Sequence, residues 1–248
     1  MKRGINTENR DFKDFMCFSF LIILVFLQIS TMAQNKVLNN YSIGGQISTN
    51  GVGLDLAFGT KAILKSDFSK FRISISTFSH PNETKVQNPN RSNPKPYVFG
   101  KLNSAGTIRF NYGFNKNIGA SKLSLPKLSY GFSAGPTLGI LKPYYIGFQD
   151  PESLVDQPQL IQQNEYTNEN QDYIYGPASW TRGFSEIEPK LGLNFDAHFT
   201  VNWNNSFHFK EWKSGIRIDY FPKDFKILYN SNQKVFTSIY TAYSIGRY

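Results

Sequence analysis

The sequence predicts an all-β protein, an antiparallel transmembrane β-barrel of about eight strands with long extracellular loops. Three observations lead there. Apolar and polar residues alternate in period two along most of the chain, and helical periodicity is hard to find. The alternating stretches mostly run to about 9–14 residues, longer than the strands of soluble sheets and long enough to cross a bilayer at a ~45° tilt. The two longest connections fall on the same end of the strands. Composition excludes other classes. A single cysteine among 248 residues cannot make a disulfide framework or a zinc ribbon. A mean hydropathy of −0.38 with one long apolar run excludes a polytopic helical membrane protein. Aromatics at 16% are too many for a disordered chain.

The first element is a targeting segment. The long apolar run, Phe15 to Ile29, follows Lys2, Arg3, Arg10 and Lys13 and precedes Thr31-Met32-Ala33. A basic start, an apolar stretch shorter than a spanning helix needs and small residues at −3 and −1 describe a secretory signal peptide. Residues 1–33 are therefore expected to be cleaved after Ala33, leaving a barrel at 34–248 without cysteine. Cys17 stands at the start of the run, away from the cleavage site, which argues against lipoprotein attachment.

The strands follow in order. A weak one opens the barrel at about 41–49. Val52, Leu54, Leu56 and Phe58 then alternate with Gly53, Asp55, Ala57 and Gly59. Phe71, Ile73 and Ile75 alternate with Arg72, Ser74 and Ser76, and Ile108, Phe110, Tyr112 and Phe114 with Arg109, Asn111, Gly113 and Asn115. Tyr130, Phe132 and Ala134 alternate with Gly131, Ser133 and Gly135; Pro136 in the same strand suggests a bulge or rim. The longest alternation sets Leu191, Leu193, Phe195, Ala197, Phe199, Val201 and Trp203 against Gly192, Asn194, Asp196, His198, Thr200 and Asn202. Ile216, Ile218 and Tyr220 oppose Arg217 and Asp219, and a last strand spans about 234–248. Its two faces are alike: Val235, Ile239 and Ile245 oppose Phe236, Tyr240 and Tyr248, so no lipid face is assigned.

In a soluble sandwich the apolar faces would pack on each other; in a membrane barrel they meet lipid while the polar faces line the lumen. Connection lengths favour the barrel. One end carries a tight turn at Asn50-Gly51, long connections at about 80–104 and 141–186 and a medium one at about 222–233. The other end carries the short connections and both termini, as in outer-membrane barrels. Trp203 and Trp212, beside the Asn204-Asn205 turn, suit an interfacial aromatic belt. The terminal Tyr248 resembles the signal that barrel-assembly machinery reads.

Net charge is +9, but it is unevenly placed. Residues 142–188 hold eight acids (Asp150, Glu152, Asp156, Glu165, Glu169, Asp172, Glu186, Glu188) against Lys142 and Arg182. The remaining cations are scattered through turns and strand ends, without the cluster or recognition helix a nucleic-acid binder needs. They suit phosphate-bearing lipid headgroups at the rims. The 80–96 stretch carries Pro81, Pro89, Pro94 and Pro96 with net positive charge and is expected to be ordered, lying against the acidic loop.

No metal spacing, phosphate loop or nucleophile elbow is present, so no catalytic, cofactor or metal residue is assigned. His198 shares the polar face of its strand with Asp196, an acid–base couple in form. The favoured reading is a structural lumen network, since Asp55, Arg72, Arg109, Lys190, Asn111, Asn194, Arg217 and Asp219 also point inward and an eight-strand barrel is about wide enough for side chains to fill. His80 and Glu83, at the top of a strand, could carry catalysis but are expected to fix the loop. The loop acids lack the alternate-residue spacing of a dedicated Ca²⁺ loop and read as a solvated surface.

Several stretches together resemble an uncharacterised family of outer-membrane β-barrel proteins of Bacteroidota. They are His80-Pro-Asn-Glu83, Tyr97-Val-Phe-Gly-Lys-Leu-Asn103, Gly135-Pro-Thr-Leu-Gly-Ile-Leu-Lys-Pro143, Ile174-Tyr-Gly-Pro-Ala-Ser179, Leu191-Gly-Leu-Asn-Phe195, Asp219-Tyr-Phe-Pro222 and the aromatic end. The resemblance implies fold and an outer-membrane location, and brings no activity or site residues. The expected protein is thus a small, non-enzymatic outer-membrane barrel of a Gram-negative cell with a filled lumen. It would touch outer-membrane lipid and the assembly machinery, and bind a surface ligand or organise the envelope through loops 80–104 and 141–186. The alternatives are a narrow, porin-like passive channel and a membrane-embedded hydrolase using His80 or His198.

Overall fold

The computed structural model of the chain describes residues 37–62, 67–89, 95–118, 126–148, 159–162, 173–204 and 208–247. The expected signal peptide, Tyr248, Asn205 and six of the loop acids (Asp150, Glu152, Asp156, Glu165, Glu169, Asp172) lie outside them. Within them the chain forms β1 (Val37–Ser48), β2 (Gly51–Ala62), β3 (Asp67–Phe78), β4 (Lys85–Val86), β5 (Tyr97–Val98), β6 (Asn103–Ile118) and β7 (Lys127–Pro143). Then come β8 (Tyr145–Phe148), β9 (Gln159–Gln162), β10 (Ile174–Pro177), β11 (Glu188–Asn204), β12 (His208–Tyr220) and β13 (Val235–Arg247). Eight of these close an antiparallel barrel in the order β1-β13-β12-β11-β7-β6-β3-β2. They are the eight read from alternation, with ends displaced by a few residues.

Period two puts successive side chains on opposite faces of a strand, and here the apolar face is outside. Leu54, Leu56 and Phe58 are exposed while Asp55 and Ala57 between them are buried. Phe195 and Phe199 face out; Asn194, Asp196, His198 and Thr200 face in. The same parity settles β13, whose lipid face its sequence left open. Phe236, Ser238, Tyr240, Ala242 and Ser244 are buried, and Val235, Ile239, Tyr243 and Ile245 are exposed. Tyr240, similar in size to the outward residues, turns inward because its hydroxyl has a partner there, donating to Asp196 Oδ1 at 2.9 Å.

Pro136 makes no bulge. The β7–β11 ladder passes through the Pro136–Leu193 pair without a register shift. On the other side the β6–β7 pairing stops after Arg109–Thr137 and resumes in the same register at Tyr112–Ala134. A missing proline N–H breaks the ladder on that side only. The gap is patched from inside, where Asn194 Nδ2 donates to the Gly135 carbonyl at 3.0 Å and to Thr137 Oγ1 at 2.9 Å.

The long connections share one end with the β1–β2 turn. That turn uses Thr49-Asn50, one residue earlier than expected, and Gly51 starts β2. A Cβ on Gly51, whose φ is 151°, would lie 2.4 Å from the Thr77 carbonyl of β3, so a side chain there is excluded. The two long loops carry sheets of their own. β4 pairs with β5, and β8 pairs with β9 and β10. The loops do meet, as expected, and among the described residues they do so through apolar packing: Tyr97 of one and Ile146 and Ile174 of the other form a buried cluster with Val86, Tyr144 and Phe148 against it. Asn88 Nδ2 also donates to the Ile174 carbonyl at 3.0 Å. Burial pushes the Tyr144 phenol up at this junction.

Candidate functional site

The interior of the barrel is a stack of side-chain layers, each dictated by which inward residues share a level. Near the end of the short connections, Lys70 of β3 pairs with Glu211 of β12, and its ammonium lies 5.9 Å from the centre of the Phe209 ring. Above them, Lys213 Nζ is 3.2 Å from Asp55 Oδ2, and Ser74 Oγ donates to Asp55 Oδ1 at 2.5 Å. Asp196 is the hub of the next layer. It accepts from Tyr240, receives Arg217 Nε at 3.3 Å, lies 4.0 Å from Arg72 and stands 2.6 Å from His198 Nδ1. The other ring nitrogen of His198 is 3.2 Å from Asn115 Oδ1. Arg217 also donates to Gln46 Oε1 at 3.2 Å and stacks 4.3 Å from the Tyr240 ring. Higher still, Arg109 grips Asp219 with two parallel bonds of 2.8 and 2.9 Å, and donates to Ser76 Oγ at 2.7 Å.

Most of these contacts cross the lumen rather than follow the wall. β12 contributes Glu211, Lys213, Arg217 and Asp219, and through them ties to β3, β2, β1 and β6, none of which is its neighbour in the barrel. Bidentate and charge-assisted bonds of this kind are directional and hold partners at fixed spacing. Breaking one partner of a buried ion pair costs about 3–5 kcal/mol, because the other charge is stranded. The arrangement therefore fastens the barrel across its bore.

The mouth is closed differently. After β12 the chain turns in, so Phe221, Phe225 and Ile227 bury themselves with Phe78, Leu141 and Phe236. Phe221 and Phe225 stack with centroids 4.1 Å apart and planes 7° from parallel, and Phe78 meets Phe236 edge to face at 5.1 Å. A Cβ on Gly139 would come within 2.4 Å of Phe225 and 2.7 Å of Phe221, so glycine makes room for the rings.

His80 and Glu83 sit at this end, and their bonds shape the loop. Asn82 N donates to His80 Nδ1 at 3.1 Å, and His80 N donates to Glu83 Oε1 at 3.1 Å. With Nδ1 accepting, the proton of the neutral ring is on Nε2, which faces Gln233 Oε1 at 3.1 Å and Ser231 Oγ at 3.0 Å. A protonated Nε2 cannot take the Ser231 proton, so this contact does not activate a nucleophile. Glu83 Oε2 receives Lys101 Nζ at 2.8 Å. His198 and Asp196 are brought together, and both lie within the buried network.

Reasoning from sequence placed Asp55, Arg72, Arg109, Asn111, Asn194, Asp196, Arg217 and Asp219 inside, and all are buried. Lys190 is at the rim, paired with Glu188 at 2.8 Å. Lys70, Glu211 and Lys213 were missed, although the parity of Arg72 and Arg217 carried two to six residues further would have found them. The part of the mouth cluster supplied by Phe221, Phe225 and Ile227 has no periodic signal. Among the described residues no group of three His, Cys, Asp or Glu could hold a metal ion.

No protein-family model matches the chain, and no curated protein does either. Two solved structures resemble it. One is the Neisserial surface protein A, at 7% identity and a TM-score of 0.40, over 84% of this chain and 94% of that one. The other is the N-terminal β-barrel domain of Pseudomonas aeruginosa OprF, at 9% identity and a TM-score of 0.37, over 84% of this chain and 95% of that one. What the geometry itself establishes is a closed eight-stranded antiparallel barrel with a polar, cross-braced bore and an apolar mouth.

Proposed function

We propose that the chain is an outer-membrane β-barrel with a side-chain-filled bore that conducts poorly and acts through its exposed loops, in binding or envelope organisation. The inversion of polarity carries this reading. Ile43, Leu54, Phe58, Tyr112, Phe114, Leu193, Phe199, Ile216 and Ile239 are exposed on the wall, while arginines, lysines and aspartates are buried within it. Soluble monomers seldom expose a continuous apolar band of that extent, and lipid is the solvent it suits. The stretches that resemble the Bacteroidota family agree with it, as does a leader of the kind that exports a protein. Residues 80–104 and 141–186 are the surface left for a ligand, Tyr248 is the feature offered to assembly machinery, and no part is assigned to nucleic acid. His80 and His198 are tied into structural networks, which supports a non-enzymatic reading.

Membrane fractionation followed by gels with and without boiling tests the location. The protein should sediment with the outer membrane and change mobility on heating; a protein that stays soluble and shows no heat shift overturns the proposal. In planar bilayers the purified barrel should give no steady single-channel current. A steady current would make it a narrow passive channel.

A further inference from the structure

The outer wall carries a feature that neither the bore nor the loops explain. On the side formed by β1, β13, β12 and β11 a groove of about 620 Å³ is lined by Gly45, Ile47, Tyr243, Thr241, Trp212 and Trp203. Gly45 is its floor: a Cβ there would meet nothing within 4 Å, so no packing constraint calls for glycine at this outward position. Trp212 leans on the wall and donates its indole N–H to Thr241 Oγ1 at 2.6 Å, which leaves its apolar face to the groove.

Strand register places what lies beside it. Gly45, Tyr243 and Trp212 form one row across the strands. The next row toward the short connections is Ile43, Ile245, Lys210 and Trp203, and the one beyond is Tyr41, Arg247 and His208. Successive rows are two residues, or roughly 7 Å, apart along a strand. An apolar groove thus runs into an exposed rim holding Lys210 and Arg247 between Trp203 and Tyr41. Among the described residues neither cation is paired with a carboxylate; the nearby Glu211 points inward to Lys70.

We infer that this face is a binding site for an anionic phospholipid of the inner leaflet, with an acyl chain in the Gly45 groove and the headgroup phosphate between Lys210 and Arg247. The short-connection end faces the periplasm in such barrels, so the inner leaflet is the one within reach. Cations beside aromatic rings at headgroup depth complement a phosphate, and the groove, one to two rows deeper, receives the chain. The inference rests on the membrane reading above.

Brominated lipids quench tryptophan on contact and test it in vesicles. On a Trp180→Phe background, brominated phosphatidylglycerol should quench the remaining Trp203 and Trp212 with about a five- to thirtyfold preference over brominated phosphatidylcholine, the order expected of one or two cation contacts. The preference should vanish in Lys210→Gln/Arg247→Gln, and in the parent protein at ~1 M salt, where the Debye length falls to about 3 Å. Gly45→Leu should lower quenching by either lipid. Equal quenching by both lipids in the parent, or a preference that survives the double substitution, overturns the site while leaving the barrel in the membrane. Quenching by neither lipid, with no heat-shifted species, overturns the membrane reading and the site with it.

Discussion

The middle of the bore and its mouth are both closed to solvent, one by ions and the other by rings. Asp196 and Asp219 are 0% exposed, and so are Phe221 and Phe225. In the middle every inward group comes from strand alternation, and each charge has a counter-charge within the bore, across the lumen for Arg109 and Asp219 and on the adjacent strand for Arg217 and Asp196. At the mouth, three of the six clustered residues come from the aperiodic segment after β12, and their hydrocarbon side chains join without hydrogen bonds or ion pairs. The comparison separates two tasks. Directional bonds specify which strands stand opposite which, whereas apolar packing seals space without specifying register.

Removing one member of each set would sharpen that contrast. The largest effect is expected for Asp196→Ala, which strands Arg217, Arg72 and the Tyr240 hydroxyl at once. It should lower stability by about 3–5 kcal/mol, read as a fall in the urea midpoint of the heat-shifted gel band. Phe225→Ala should cost about 3 kcal/mol through the cavity it leaves in the mouth. If the two layers are separate devices, the double variant should lose the sum of the two within about 0.5 kcal/mol, and a larger departure would show the mouth and the bore to be one unit. The smallest effect belongs to His80→Ala. Losing the bonds to Asn82 and Gln233 should cost about 1 kcal/mol locally. It should speed protease cleavage of the 80–104 loop and leave the barrel midpoint unchanged; a shifted midpoint would bind the loop to the barrel more tightly than the contrast allows.

Much of the fold was legible because alternation is a local property. The parity of Asp55, Arg109, Asp196 and Asp219 within their own strands assigns them to one face, and period two makes that assignment unambiguous once a strand is recognised. Where local pattern was ambiguous, legibility failed for physical reasons. Tyr240 and Tyr243 are alike in side chain, and it is Tyr240 that finds partners inside the bore, the Asp196 carboxylate for its hydroxyl and Arg217 and Lys213 over its ring. Lys213 lies three residues before Ile216, where the alternation was first read, yet it belongs to the same strand. The Tyr97, Ile146 and Ile174 cluster joins residues far apart in the chain, so charge pointed to the right neighbours but carried no signal of the apolar contact that joins them among the described residues.

By itself the sequence determined the number of barrel strands, the polarity of the faces of all but the last, the end that carries the long loops and the absence of metal or nucleotide motifs. All are consequences of local spacing and composition. Tertiary structure alone decided which ions pair across the bore, that Pro136 stays in register with Asn194 covering the gap, and that Phe221 and Phe225 fold back into the mouth. It also decided that Gly45, Lys210 and Arg247 fall on one patch of the wall. These depend on closure of the sheet, which brings strands distant in sequence to the same height, and alternation along one strand carries no record of what stands opposite.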